Sequence, residues 1–120
     1  MLVIRNEQLA AFDVVAQRQA LGELRLHARA HFAVLLRDVP DERLELVLRR
    51  LVAAARLRGL ERMAEVLLFV NLGIVLGEGF LSRPELSWMQ QMMNDSSLGS
   101  PRQRIRRVHA EAVKRMEPAP

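Results

Sequence analysis

The sequence predicts an all-α fold, a compact bundle of about five helices around a central hydrophobic helix. Three observations carry that prediction. Apolar residues recur at spacings of three and four along most of the chain. Breaker signals divide it into segments of helical length. No stretch alternates apolar and polar residues as a half-buried strand would.

The first helix is expected to begin near Asn6, an N-cap residue with Glu7 just inside, where the helix dipole favours an acid. Leu9, Phe12, Ala16, Ala20, Leu24 and Ala28 form its apolar stripe, which continues through Phe32 and Leu35. Gly22 lies off the stripe, where it could kink or split the helix. The segment Asp38-Val39-Pro40-Asp41-Glu42 ends this helix and starts the second. That one carries Leu44, Val47, Leu48, Leu51, Val52 and Ala55. Asp41, Glu42 and Glu45 stand at its start and Arg49, Arg50, Arg56 and Arg58 towards its end, an order that complements the dipole. Gly59 is expected as its left-handed cap.

The third helix, from about Glu61 to Leu76, is apolar nearly all round and is expected at the centre, with Gly77 and Gly79 ending it. A cap at Ser82 or a turn at Pro84 starts the fourth, which runs through Trp88 to Met93. A loop follows from Asn94 to Gly99. Ser100-Pro101 then pairs an N-cap serine with a proline at the first helical position. The fifth helix sets Ile105, Val108, Ala112 and Met116 on one face. A single helical domain over residues 1–117 is expected, with 118–120 fraying.

Composition narrows the chemistry. Half of the 120 residues are apolar and 27% are charged, a globular rather than a disordered balance. There is no cysteine, so disulfides, thiol catalysis and cysteine-based zinc sites are excluded. The opening MLVIRNEQ lacks a basic region before its apolar stretch, so no signal peptide is expected there. The longest apolar run, Val66 to Leu76, falls short of the roughly 20 residues of a membrane span and is broken by Asn71. A cytoplasmic protein without membrane contact is expected.

Net charge is +4, with Lys114 the sole lysine. Arg102, Arg104, Arg106, Arg107, Lys114 and Arg115 face one acid, Glu111, so the basicity is concentrated in the fifth helix. Those arginines could contact phosphates. No aromatic residues interleave with them, as single-strand binders require. A solvated face or an acidic protein partner fits the pattern better.

No catalytic constellation is legible. His27 and His31 stand four apart with Glu23 a turn earlier, but a stable zinc site takes three or four protein ligands. No metal or cofactor is expected. The serines at 82, 87, 96, 97 and 100 fall where caps and turns need them, and no nucleophile elbow or phosphate loop is present. Asp41, Glu42 and Glu45 are explained by the helix dipole rather than by acid–base work. The chain is therefore not read as an enzyme.

The most unusual local composition is Trp88-Met89-Gln90-Gln91-Met92-Met93, with half of the six methionines beside the only tryptophan. Methionine suits adaptable binding surfaces, and both residue types are enriched at interface cores. Trp88, Met89, Met92 and Met93 cover more than one face of a short helix. At least one of Met89 and Met93 is therefore expected to be exposed. A partner surface on these four residues, with Arg102, Arg104, Arg106 and Arg107, is the reading they support. A homodimer is as open as a heterocomplex.

Three segments resemble a family of small, all-helical bacterial proteins encoded beside type VI secretion spike and effector-adaptor genes. These are His27-Ala28-Arg29-Ala30-His31-Phe32, Ala55-Arg56-Leu57-Arg58-Gly59-Leu60-Glu61, and Gly77-Glu78-Gly79-Phe80-Leu81-Ser82-Arg83-Pro84-Glu85-Leu86-Ser87-Trp88. The similarity covers roughly Arg5 to Ala112. It departs at Ala33, where the family usually has proline, and in the wider spacing of Pro84 and Trp88. The resemblance implies an accessory or co-chaperone role, binding an effector chaperone (adaptor) and helping a toxin load onto the spike. It implies no catalytic residues. A nucleic-acid-binding helical protein and a toxin-blocking immunity protein are the alternatives.

Overall fold

The computed structural model describes the backbone of residues 6–116 and the side chains of residues 18–116. The expected fraying at 118–120, the capping by Asn6 and the stripe positions Leu9, Phe12 and Ala16 lie outside what is described. Among the described residues the fold is all-α, with five α-helices and no strand. It divides into two units, Met1–Leu48 and Arg49–Pro120, with one helix running through the boundary.

In the first unit α1 spans Asn6–His31. It runs unbroken through Gly22. A β-carbon there would meet no neighbour, so nothing forces a kink, and a helical glycine costs only about 1 kcal/mol relative to alanine. Leu24 and Ala28 are buried as the stripe requires, and Ala20 is half-buried.

The helix stops at His31, earlier than the apolar pattern suggests, and residues 32–39 form turns. Arg29 fastens the segment that follows. Its guanidinium donates to the carbonyls of Leu36 and Val39, both at 2.6 Å, and to the Asp41 carboxylate at 2.7 Å. These bonds tie the 32–39 turns to α1 and to the start of α2, and the chain turns back round the arginine. Leu36 is buried by this turn, whereas Leu35 is exposed.

α2 spans Asp41–Leu57, with Asp41 and Glu42 in its first turn and Arg56 in its last. Leu44, Leu48, Leu51 and Ala55 line its buried face. Gly59, at φ +85°, ends it as expected. The Leu60 amide donates to the Ala55 carbonyl and the Gly59 amide to Arg56, a Schellman closure with Leu60 buried beyond it.

The second unit continues through α3, Met63–Leu76. Val66, Phe69, Val70, Leu72 and Gly73 are buried, while Val75 is exposed. Gly73 lets the Leu51 side chain lie directly on the α3 backbone; a β-carbon there would overlap it. α3 packs against the last helix and against the 3-10 turn Phe80–Ser82, where the Phe69 and Phe80 rings stand 5.2 Å apart.

The fourth helix starts later than Ser82 or Pro84. Both residues go into short 3-10 turns, Phe80–Ser82 and Pro84–Leu86. Arg83 between them is extended (φ −78°, ψ 129°), as a residue preceding proline tends to be, so no helix runs through it. α4 is Ser87–Asn94.

The 94–99 segment contains another 3-10 turn, Ser96–Leu98, held by Asp95 accepting from the Ser97 amide and hydroxyl. α5 spans Pro101–Met116. Ser100 caps it: its hydroxyl accepts from the Gln103 amide, and the Gln103 side chain accepts from the Ser100 amide at 2.8 Å. Ile105, Val108 and Ala112 are buried, but Met116, the fourth member of that stripe, is 49% exposed.

Candidate functional site

The candidate surface combines α4 with α5, and the structure redistributes its residues. Met89 and Met93 are both buried, contrary to the expectation that one would be exposed. The cause is packing on two sides, since α4 lies against α5 and against the turns at 80–82 and 84–86. A face that would be outward on a helix with one neighbour is covered here by a second. Trp88 and Met92 are the half-buried members and keep some accessible surface.

Trp88 is held under a cation. The Arg115 guanidinium carbon lies 3.9 Å from its ring centroid, and Arg115 Nε donates to Glu111 Oε1 at 3.0 Å. Glu111 and Arg115 stand one turn apart on α5, so the carboxylate orients the guanidinium that covers the ring. Met116 follows immediately and is exposed. The buried stripe of α5 thus runs out into solvent one residue past the arginine that covers Trp88.

The arginines of α5 do not form one free basic face. Glu65 on α3 is fully buried, the only charged side chain among the described residues that is. Arg102 Nε donates to its Oε1 at 3.1 Å, and Arg106 Nη2 to the same oxygen at 2.8 Å. Arg104 donates instead to the Met93 carbonyl at 2.8 Å, near the end of α4. Arg107 is exposed and has no partner among the described residues. Of the four arginines assigned to a partner surface, three are committed to contacts inside this unit.

Burial by itself would push the Glu65 carboxyl up. The hydrogen bonds from Arg102 and Arg106, with a backbone hydrogen bond, outweigh that and hold it below the ordinary carboxylate range. Burial pushes half-buried His109 down from the usual histidine value.

Glu65, the residue before the Val66–Leu76 run, was not paired with the basic helix from the sequence. The usable signal was present: one acid inside a hydrophobic helix needs a cation, and Arg102 and Arg106 are spaced one turn apart.

In the first unit the His27 and His31 rings have centroids 4.1 Å apart and are tilted by 37° to each other. Among the described residues no group of three or more histidines, acids or cysteines is placed to hold a metal ion. No helix of the described residues is long and apolar enough to cross a membrane. No protein-family model, curated protein or solved structure matches this chain.

Proposed function

We infer that the chain is a non-enzymatic, cytoplasmic protein-binding factor. In the finer form that the resemblance implies, it is a co-chaperone helping an effector chaperone stabilise and load a type VI secretion effector. The observation that supports binding is the apolar edge of α4 and α5: half-buried Trp88 and Met92, with Met116 exposed beyond a stripe otherwise buried. Tryptophan is the residue most enriched at binding hot spots, and methionine adapts its shape to a partner. A partner helix or loop laid on this edge would complete the cover of the α5 stripe. Arg107 and Lys114, both exposed, would supply a rim suited to an acidic partner.

The test is co-expression with a type VI effector chaperone and its effector, followed by pull-down and light scattering. A stoichiometric complex is expected with the wild-type chain. Trp88→Ala combined with Met116→Glu should abolish it while helical circular dichroism stays unchanged. Retention of the complex by that variant would reject the site. Failure of the wild-type chain to bind any such pair would reject the co-chaperone role. The nucleic-acid alternative is weakened by the internal pairing of Arg102, Arg104 and Arg106, and it predicts a salt-sensitive mobility shift.

A further inference from the structure

α1 carries a glycine that its own packing does not require. Glycine inside a helix is destabilising relative to alanine, and a β-carbon at Gly22 would meet no neighbour. No close approach of another element therefore accounts for it. What the missing side chain leaves is space. Gly22 lines a cavity of about 130 Å3 in the first unit, together with Arg18, Leu21 and Arg25 of α1 and Glu45 of α2. Positions 18, 21, 22 and 25 follow at helical spacings, so one face of α1 builds this wall.

Arg18 and Arg25 are the unpaired charges of that wall. Neither makes a hydrogen bond or ion pair among the described residues, although Arg25 is half-buried. They stand two turns apart on either side of Gly22, about 10 Å along the helix axis. Two guanidinium groups so placed can approach one anion from two sides, and each presents the donor fork that fits an oxyanion. The size of the cavity limits that anion. At about 130 Å3 it is well below the roughly 300–1,000 Å3 of pockets that hold drug-sized ligands and cofactors. One small oxyanion fits; a nucleotide does not.

We propose that this notch is a binding site for inorganic phosphate, held as the hydrogen phosphate dianion by Arg18 and Arg25. Two unpaired cations are matched by a dianion, which a single carboxylate or a halide is not. Glu45 selects among dianions. It is already engaged within the protein, and a carboxylate has acceptor sites for more than one hydrogen bond. Hydrogen phosphate carries an O–H that can donate to it. Sulfate and the dianion of a phosphate monoester have no such proton and meet Glu45 by repulsion alone. The site lies in the first unit and shares no residue with the α4–α5 surface, so it stands independently of the protein-binding reading.

The experiment is isothermal titration calorimetry on the full chain at pH 7, in a buffer of low ionic strength free of phosphate and sulfate. Sodium phosphate is expected to bind at one ion per chain. Sodium sulfate and glycerol 3-phosphate should bind more weakly by about tenfold or more, the scale of one charge-assisted hydrogen bond lost. Arg18→Gln and Arg25→Gln should each weaken phosphate by about tenfold or more for the same reason. Gly22→Leu should fill the notch and abolish binding without lowering the thermal midpoint, since leucine is the better helix former and its β-carbon meets no neighbour. Glu45→Gln should bring sulfate level with phosphate. Equal affinity of the wild-type chain for sulfate and phosphate would mark an adventitious anion on a basic surface and overturn the proposal. So would phosphate binding that Gly22→Leu and Arg25→Gln leave unchanged, or no saturable binding of phosphate at all.

Discussion

Arg106 Nη2 lies 2.8 Å from a carboxylate oxygen of Glu65, and Glu65 is buried. The contact joins α5 to α3 through a charge that neither helix could bury alone. Arg102 reaches the same oxygen, so the carboxylate is held by two cations one turn apart. Such a cluster is weak evidence of net stabilisation, because desolvating the charges offsets much of their attraction. Its firm consequence concerns removal of the arginines: Glu65 left without them is an uncompensated charge in the core, whereas Arg102 and Arg106 are already partly in water.

The cluster makes stability depend on pH with a definite sign. The folded Glu65 carboxyl titrates below its ordinary value of 4.5, so the folded state binds fewer protons than the unfolded chain in the acid range. The contribution of Glu65 is complete above pH 4.5 and is lost as pH falls through the lower folded value. Glu85 and Asp95 are shifted in the same direction, by hydrogen bonds that include those from Arg83 and Ser97 respectively. Urea unfolding from pH 7 to pH 3 should therefore show stability declining below about pH 4.5. Glu65→Gln should be less stable at pH 7 and should lose less on acidification. An acid decline as steep as that of the wild type would show that Glu65 is not the group responsible.

Gly73 and Leu51 give a prediction about packing. A β-carbon at 73 overlaps the Leu51 side chain, which is itself buried and cannot simply swing away. Gly73→Ala should destabilise by about 1–3 kcal/mol, the usual cost of forcing an extra methyl into a packed core. In a Leu51→Ala background the same change should cost much less, because the clashing atoms are gone and a void takes the new methyl. A double-mutant cycle in urea measures the coupling. Additive effects would mean that the two residues do not share that space.

These two cases mark what could be read from the sequence. The spacing of Leu44, Leu48, Leu51 and Ala55, the cap at Gly59 and the Ser100-Pro101 start are local signals, and each appears in the structure where periodicity and capping chemistry set it. The turn after α1 was not legible, because it is held by Arg29 reaching carbonyls seven and ten residues away. At least one of Met89 and Met93 was expected at the surface, and contacts on more than one side of α4 bury both. Glu65 and its arginines are separated by 37 and 41 residues, beyond any local pattern. What failed in each instance was knowledge of which elements become neighbours.

Trp88 is the only tryptophan, so its fluorescence reports on one place. With the Arg115 guanidinium 3.9 Å from the ring centroid, Arg115→Ala uncovers one face of the indole to water. The emission maximum should move to longer wavelength. Stability should fall by no more than about 1 kcal/mol, the scale of a cation–π contact at a partly exposed site. Glu111→Ala should produce a smaller shift of the same sign, since it frees the guanidinium without removing it. An unchanged emission maximum in Arg115→Ala would mean that the stacking is not kept in solution.

The start of α5 separates space from backbone strain. Gly99 sits at φ +106°, ψ −155°, a region that side chains rarely adopt, and a β-carbon there would also strike the Gln103 side chain as it folds back to the Ser100 amide. Ser100→Ala should cost about 1 kcal/mol through the lost cap. Gly99→Ala should cost more, because steric overlap adds to about 1–3 kcal/mol of strain. Replacing Gln103 by alanine opens the space but leaves φ unchanged. Gly99→Ala should then be milder in the Gln103→Ala background but still destabilising. If the penalty vanished there, overlap with Gln103 alone would explain the glycine. If it were undiminished, the backbone conformation would be the whole cause. Thermal unfolding of the four chains in that cycle, with Ser100→Ala alongside, decides between them.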